Sequence, residues 1–282
     1  ACPVTPKIKL VGLDLDGTVF NDQKQITPRT QAAIRRAIEA GCQVLPVTGR
    51  IFKGLPVSFT SIPGVRWAVT ANGAAILDLA DGGRCVQATY LKRADALDVL
   101  DLCLPFDTML DVYTGGEAVT QADRFARLED FSSPAMLPYF RTSRTVVEDL
   151  RAFVAACPTG IEKITMMFAE EAQRASALAL LSADRRFLVT SSLPNNLEVN
   201  DQSIDKGKGL LALAAMLGIR PEETMAVGDS SNDLAMLRAA GLGVAMGNGS
   251  AEAKAAADVT TDDNNHDGAA KAIERYVLGQ SE

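Results

Sequence analysis

Short apolar segments that alternate with helix-like segments constrain the fold of this chain most strongly. Five segments are apolar or β-branched along almost their whole length, as is typical of strands covered on both faces of a parallel sheet. Four others repeat apolar residues every three or four positions, as helices with one buried face do. The alternation predicts βαβ crossovers and an α/β fold with a doubly wound, Rossmann-like parallel sheet. The predicted strands are 8–13, 43–47, 66–70, 224–228 and 242–246, and the predicted helices are 28–40, 208–218, 232–241 and 268–277.

Polar residues follow each predicted strand. Asp14 and Thr48 come directly after the first two strands, and Asn72 lies just beyond the third. The segments 229–233 and 247–249 follow the last two. In a parallel sheet all carboxyl ends lie at one edge, and ligands bind there. Residues from both ends of the chain are therefore predicted to converge on one crevice.

The middle of the chain follows a different pattern. Turn-rich breaks at 81–83 and 191–196 enclose a segment with its own strands and helices, and Gly115-Gly116 is typical of a hairpin turn. The predicted division is a first core part over 1–81, an inserted α/β domain over 82–192, and a second core part over 193–282. We expect the inserted sheet to be antiparallel with one exposed face.

The charge balance limits the kinds of partner. The 282 residues include 28 Lys and Arg against 35 Asp and Glu, a net charge of −7. A nucleic-acid surface requires a basic stripe, so no nucleic-acid partner is predicted. A small anionic substrate is compatible with an acidic chain, because a local site can be positive. No segment has the roughly 18 apolar residues of a membrane span, so no membrane partner is predicted, and the oligomeric state stays open.

Cysteine and histidine usage indicates a reducing compartment and excludes some chemistries. The N-terminal segment lacks the basic stretch and the apolar stretch that are typical of a signal peptide. The cysteines are odd in number and form no CxxC pair, which predicts free thiols in the cytoplasm. His266 is the single histidine, which excludes a histidine-based metal site and a Ser-His triad. The five cysteines are Cys2, Cys42, Cys85, Cys103 and Cys157.

Four aspartates are predicted to meet at the sheet edge. Asp14 and Asp16 follow the first strand, and Asp229 and Asp233 follow the fourth. Carboxylates at such short distances repel each other, and burial increases the energetic cost of keeping them charged. Neither histidine nor cysteine accompanies them, so a hard cation that prefers oxygen ligands, such as Mg²⁺, is the natural partner.

Other residues at the same edge suit a phosphate group. Thr48 offers a hydroxyl and an expected free N–H, and Lys206 offers a cation, with Lys208 as its rival. Arg50 and Asn72 lie at strand ends, where they are predicted to contact the rest of a substrate. The P-loop pattern is absent, because Gly207-Lys208 is followed by glycine, so a P-loop nucleotide site is excluded.

Four motifs give the chain a family resemblance. DLDGT (14–18), VTGR (47–50), DKGKGL (205–210) and VGDSSNDLAML (227–237) occur in this order. The chain resembles the haloacid dehalogenase superfamily of phosphohydrolases, in particular the Cof-type, class IIB phosphatases. The resemblance implies that the long insertion between Asn72 and Lys206 is an α/β cap.

The resemblance also implies a role for each motif residue. Asp14 would be the nucleophile that forms an aspartyl-phosphate, and Asp16 the acid/base with its main-chain carbonyl toward the Mg²⁺. Asp229 would bind the metal directly, whereas Asp233 would be a further ligand or would act through its neighbours. Motif spacing favours Lys206 over Lys208. The implied phosphate-binding residues are Thr48, Gly49, Lys206 and Asn232.

The expected function is a Mg²⁺-dependent phosphatase of small phosphorylated metabolites, with sugar phosphates as the expected class. Three alternatives stay open: a phosphomutase, a phosphatase dedicated to one sugar phosphate, and a non-catalytic module in which Asp14 only accepts a phosphoryl group. The inserted segment is expected to set specificity. Its polar residues are interpreted as mainly surface groups, namely Tyr113, Glu117, Arg124 and Lys163.

Overall fold

A computed structural model of the chain describes residues 7–280. Within this range the strands are β1 (Leu10–Leu13), β2 (Gln43–Pro46), β3 (Trp67–Thr70), β4 (Ala75–Asp78), β5 (Arg84–Ala88), β6 (Thr108–Thr114), β7 (Glu117–Gln121), β8 (Arg144–Val147), β9 (Ile161–Phe168), β10 (Phe187–Thr190), β11 (Asn196–Asp201), β12 (Thr224–Gly228), β13 (Leu242–Ala245) and β14 (Val259–Thr260). The α-helices are α1 (Pro28–Glu39), α2 (Val57–Thr60), α3 (Arg93–Cys103), α4 (Ala122–Phe125), α5 (Leu128–Phe131), α6 (Leu137–Ser143), α7 (Leu150–Ala156), α8 (Glu171–Ser182), α9 (Lys206–Met216), α10 (Leu234–Ala239), α11 (Ala251–Ala256) and α12 (Gly268–Tyr276). Single helical turns lie at Leu15–Val19, Phe52–Gly54, Ala71–Gly73, Leu79–Asp81, Pro221–Glu223 and Ser231–Asp233.

A five-stranded, fully parallel sheet confirms the predicted α/β fold. Its order is β14-β13-β12-β1-β2, so strands from both ends of the chain lie side by side. Apolar residues of α1 and α12 pack with Val11 and Leu13 of β1 in one buried cluster. Residues of α9 and α10 pack with Leu10 and Leu45 in another. The two clusters cover both faces of the sheet, which explains why its strands are apolar throughout.

The third predicted strand does not extend this parallel sheet. β3 pairs antiparallel with β4 in a separate three-stranded sheet, β3-β4-β5, and only an isolated bridge between Val47 and Val69 joins it to β2. Thr48 donates its N–H to Val69 on this side of β2. Pro46, two residues earlier, has no N–H to donate there, so a regular ladder cannot form.

The chain divides into two compact units. The first comprises the described residues up to Arg50, Leu55–Gln87, and those from Asp205 onward; the second comprises Ile51–Gly54 and Ala88–Ile204. These boundaries differ from the predicted 82 and 192. β5 pairs within the sheet of the first unit, and β11 pairs with β9 of the second, so hydrogen bonding moves both boundaries along the chain.

The second unit is built on a six-stranded sheet of order β10-β11-β9-β6-β7-β8. β6 and β7 form the predicted hairpin, in which Gly115 and Gly116 have φ angles of +59° and +77°. Glycine adopts this left-handed conformation without steric cost. Helices α3, α7 and α8 pack on one face of the sheet through a buried apolar cluster. β7 and β8 are parallel, unlike the other pairs of the sheet.

The opposite face of this sheet is also buried and carries charged pairs beside an apolar cluster that includes Met109 and Met167, which corrects the predicted exposed face. Arg144 donates to Asp111 at 2.8 Å, and Lys163 donates to Glu198 at 3.2 Å, with all four side chains at most 4% exposed. Tyr113, interpreted from the sequence as surface, is also buried. Paired opposite charges make this burial tolerable, and sequence alternation does not reveal such pairing.

The described cysteines bear out one expectation from the sequence. Cys42, Cys103 and Cys157 are buried free thiols, whereas Cys85 is exposed and donates to the carbonyl oxygen of Gln87 at 3.3 Å. Cys2 and the rest of residues 1–6, which belong to the segment predicted not to be a signal peptide, lie outside the described residues. No described helix has both the length and the apolar character needed to cross a membrane.

We predict that Arg144→Met destabilises the protein by about 3–5 kcal/mol, because it leaves the buried Asp111 carboxylate without its cation. Urea unfolding followed by circular dichroism measures this free energy. The matched control is Arg84→Met, since Arg84 is 61% exposed and pairs with the equally exposed Asp81. Equal small effects of both substitutions would contradict the prediction.

Candidate active site

A buried lysine lies at the centre of the predicted crevice. Lys206 begins α9, is fully buried, and donates to Asp14 Oδ1 at 2.8 Å and to Asp233 Oδ1 at 2.6 Å. Asp205 caps this helix by accepting the N–H of Lys208, whose own side chain is 60% exposed. The structure therefore brings Lys206, and not Lys208, to Asp14.

Three of the four predicted aspartates form a cluster. Carboxylate oxygens of Asp14, Asp229 and Asp233 lie within 4.8 Å of one another. Asp229 also accepts the hydroxyl of Thr18 at 2.9 Å. Gly17 has a φ of +78°, and a Cβ there would lie 2.5 Å from Asp229 Oδ2, so only glycine lets the loop after β1 approach this carboxylate.

The cluster carries more negative than positive charge. Burial and the neighbouring Asp233 raise the pKa of Asp14 well above its usual value, although Lys206 opposes them. Burial and Asp233 also raise the pKa of Asp229 to about 6. Burial lowers the pKa of Lys206, but Asp14 and Asp233 outweigh it and raise the pKa. Three carboxylates facing one ammonium group, with oxygen donors only, fit a hard divalent cation.

Asp233 differs from the other two carboxylates because both of its oxygens already have protein partners. Oδ1 accepts Lys206, and Oδ2 accepts the N–H groups of Asp229 and Ser230 at 2.8 and 3.0 Å. Asp233 is completely buried. It therefore holds Lys206 and the loop that carries Asp229 in place.

The side chain of Asp16 is engaged elsewhere. Arg50 donates Nε to Oδ2 and Nη2 to Oδ1, both at 2.9 Å, and Lys24 donates Nζ to Oδ1 at 3.1 Å. Burial raises the pKa of Asp16, but Arg50 and Lys24 outweigh it, so the pKa lies below its usual value. Asp16 is thus held as a carboxylate, the form that accepts a proton.

The N–H of Thr48 is not free, contrary to the expectation from the sequence, because it donates to the carbonyl oxygen of Val69 at 2.9 Å. The Thr48 hydroxyl accepts the N–H of Arg50 at 3.0 Å, and Gly49 is buried between these two residues. Thr48 remains at the predicted edge through its hydroxyl. The bridge between Val47 and Val69 places β3 beside the end of β2, where it takes up this N–H.

Two asparagines complete the set of predicted residues. Asn232 donates Nδ2 to Asn72 Oδ1 at 3.2 Å, and its own Oδ1 accepts the Ser230 hydroxyl at 2.8 Å. Asn72 has a φ of +61° and donates its N–H to Thr48 O at 3.0 Å. The loops after β2, β3 and β12 are therefore joined by hydrogen bonds.

Sequence reasoning missed three residues of this site. Thr18 stands within the DLDGT motif and Ser230 within the VGDSSND segment, so both could have been found as loop donors. Lys24 belongs to no motif, and only the folded loop brings it to Asp16.

Comparison with known proteins identifies the family. A family described as haloacid dehalogenase-like hydrolase matches residues 11–273. Phosphatase YwpJ of Bacillus subtilis is 32% identical, with 96% of this chain and 100% of the relative covered. The 5-amino-6-(5-phospho-D-ribitylamino)uracil phosphatase YcsE of the same organism is 31% identical over 96% of both chains.

Solved structures agree with this family. A haloacid dehalogenase-like hydrolase from B. subtilis superposes with a TM-score of 0.85 at 28% identity, over 95% of this chain and 99% of that one. A subclass IIB sugar phosphatase superposes with a TM-score of 0.80 at 22% identity, over 95% and 98% of the two chains, which shows a shared fold. The resemblance drawn from the four motifs is thereby confirmed: the chain belongs to the haloacid dehalogenase-like hydrolases and has the fold of their subclass IIB.

Proposed function

We propose that this protein is a Mg²⁺-dependent phosphatase that hydrolyses small phosphorylated metabolites, sugar phosphates above all, through an aspartyl-phosphate on Asp14. Phosphatase activity is supported by the family and by the names of both relatives. One observation carries the catalytic proposal: the buried Asp14 carboxylate is held by the buried ammonium group of Lys206 inside an acidic cluster. The proposal includes a cytoplasmic location, which the free thiols support.

Asp14 has the surroundings of a covalent nucleophile. Lys206 holds Oδ1, so we assign the attack on phosphorus to Oδ2. A carboxylate is an established nucleophile in phosphoryl transfer. Lys206 is kept charged by Asp233, so it neutralises an oxygen of the incoming phosphoryl group while holding Asp14. The hydroxyl of Thr48 and the amide of Asn232 would then donate to the other oxygens.

The carboxylates of Asp14 and Asp229 and the main-chain carbonyl of Asp16 would hold Mg²⁺. When bound, Mg²⁺ supplies positive charge that offsets the repulsion among the carboxylates and stabilises the charge of the transferring phosphoryl group. Asp233 would contribute by fixing the loop of Asp229, since both its oxygens already accept hydrogen bonds.

The reaction proceeds in two balanced steps. Asp16 first takes up a proton from water once a contact with Arg50 opens; Asp14 then forms a bond to phosphorus, the ester P–O bond breaks, and the leaving oxygen takes the proton from Asp16. A water molecule then loses a proton to Asp16 and attacks the phosphorus, which releases inorganic phosphate and regenerates the Asp14 carboxylate. Arg50 holds both oxygens of Asp16, so one of these contacts must open before the side chain can transfer a proton.

We predict that inorganic phosphate is released from members of a panel of hexose, pentose and alditol phosphates, and that the release requires Mg²⁺. Excess EDTA should abolish turnover because the carboxylate cluster loses its counter-charge. Added Mg²⁺ should restore it, whereas Ca²⁺ should inhibit because its looser coordination does not keep the in-line geometry. A phosphate-release assay with each cation measures this directly.

Three outcomes of this assay would contradict the proposal. Full turnover in excess EDTA would exclude the metal requirement. Transfer of the phosphoryl group to a second sugar without net phosphate release would identify a phosphomutase. A stable phosphorylated protein with no turnover would identify a phospho-acceptor module.

We predict that Asp16→Asn lowers the first-step rate about 10²- to 10⁴-fold on a hexose phosphate, and clearly less on p-nitrophenyl phosphate. A sugar alkoxide needs protonation as it leaves, whereas nitrophenolate does not. The substitution retains the main-chain carbonyl proposed to bind Mg²⁺. Burst kinetics with both substrates separate the first step from the second, and equal first-step losses would show that Asp16 is not the acid.

A further inference from the structure

The loop after β1 contains a tight turn with an unusual lysine. Lys24 has a φ of +58°, which is uncommon for a residue with a long side chain. Three hydrogen bonds hold this turn: Lys24 N–H to Asn21 O at 2.9 Å, Gln25 N–H to Asn21 Oδ1 at 2.9 Å, and Asn21 N–H to Gln25 O at 3.0 Å. The backbone conformation is therefore imposed by the turn.

A second segment of the same unit fastens this turn from the side. Asp22 accepts the side-chain amides of Asn264 and Asn265 at 3.1 and 2.9 Å, and donates its N–H to Asn265 Oδ1 at 3.0 Å. Asn264 is buried and also donates to Phe20 O at 3.0 Å. We call this set, Asp22 with Asn264 and Asn265, the amide clamp.

The same loop is held at its beginning. Asn248 donates to Gly17 O at 2.9 Å, and its own Oδ1 accepts the N–H of Asn264 at 2.9 Å. The loop from Gly17 to Gln25 is thus fixed at both ends by residues far along the chain. A polar cavity of about 460 Å³ lies along this junction and is lined in part by Gly17, Lys24 and Asn248.

These contacts position the ammonium group of Lys24 beside the carboxylate of Asp16. Lys24 Nζ and Arg50 Nη2 share Oδ1 of Asp16, at 3.1 and 2.9 Å, whereas Oδ2 accepts Arg50 Nε. If the guanidinium moves to an incoming phosphate, Lys24 still holds Oδ1. Oδ2 is then available to face the leaving oxygen.

We propose that Lys24 is a positioning residue that anchors Asp16 through Oδ1, so that Oδ2 can exchange a proton with the substrate when Arg50 releases it. The inference rests on the proposed role of Asp16 as acid and base. Oδ2 takes up a proton from water when Arg50 releases it, and this proton passes to the leaving oxygen as the P–O bond breaks. In the second step the attacking water returns a proton to Oδ2. Lys24 itself neither gains nor loses a proton.

The test compares Lys24→Met, Lys24→Arg and a control, Lys254→Met, on a hexose phosphate and on p-nitrophenyl phosphate. Lys254 is an exposed residue of α11 outside the site. Lys24→Met should lower the first-step rate on the hexose phosphate about three- to fivefold, because a partly exposed ion pair is removed, and should leave KM within about twofold. Lys24→Arg should restore the rate to within about twofold, and the control should match the unmodified protein.

Two further variants separate positioning from a general loss of structure. In an Asp16→Asn background, Lys24→Met should add no further loss, since the group that it positions no longer transfers protons. Asn265→Ala, which breaks the amide clamp without touching Asp16, should reproduce part of the Lys24→Met loss on the hexose phosphate alone.

Several results would overturn the inference. Equal losses on both substrates, a loss confined to KM, no rescue by arginine, or an additive loss in the Asp16→Asn background would each show that Lys24 does not act through Asp16. If the unmodified protein hydrolysed neither ester, the proposed function itself would be wrong. That result differs from the variant results above, so failure of the proposed function can be distinguished from failure of the inference about Lys24.

Discussion

The ammonium group of Lys206, buried between Asp14 and Asp233, is the interaction on which the rest of the site depends. A buried ammonium ion is costly unless it is paired and hydrogen-bonded, and here both partners lie within 2.8 Å. The pairing requires that the start of α9 meet the ends of β1 and β12. Gly207 and Gly209 make the approach possible, because a Cβ at either would collide with Ala235 O or with Gly73.

Asp14 and Asp16, which follow β1, have different charged neighbours, and this difference suits them to different roles. Asp14 is one of three clustered carboxylates that share a single cation, Lys206. This excess of negative charge favours binding of a divalent metal ion, which would in turn offset the charge of an anionic substrate. Asp16, two residues on, is one carboxylate held by two cations. The first arrangement suits a nucleophile, and the second suits a group that waits as a base and must be released to act as an acid.

The sequence predicted the sheet edge because parallel strands place their carboxyl ends together, and it predicted Asp14, Asp229 and Lys206 because each stands in a motif directly after a strand or at a helix start. It could not predict what depends on long-range pairing. Pro46 prevents the regular ladder that would have joined β3 to the central sheet, and only an isolated bridge between Val47 and Val69 forms among the described residues. The N–H of Thr48 donates to Val69 at this bridge and is therefore not free. Lys24 reaches Asp16 only through a turn fastened by residues far along the chain, and no local pattern marks it. Tyr113 and Lys163 were interpreted as surface residues for the same reason, although Tyr113 is buried and Lys163 forms a buried pair with Glu198.

The most direct measurement of the central claim is the location of the phosphoryl group during turnover. Asp16→Asn protein, in which the second step is slowed, is mixed with p-nitrophenyl phosphate and Mg²⁺, quenched, and treated with hydroxylamine, which converts an acyl phosphate into a hydroxamate. Peptide mass spectrometry should find the hydroxamate on Asp14 alone, and Asp14→Glu protein treated in the same way should show none at position 14. A modification on another residue, or burst kinetics without any modification of Asp14, would contradict the assignment of Asp14 as the nucleophile.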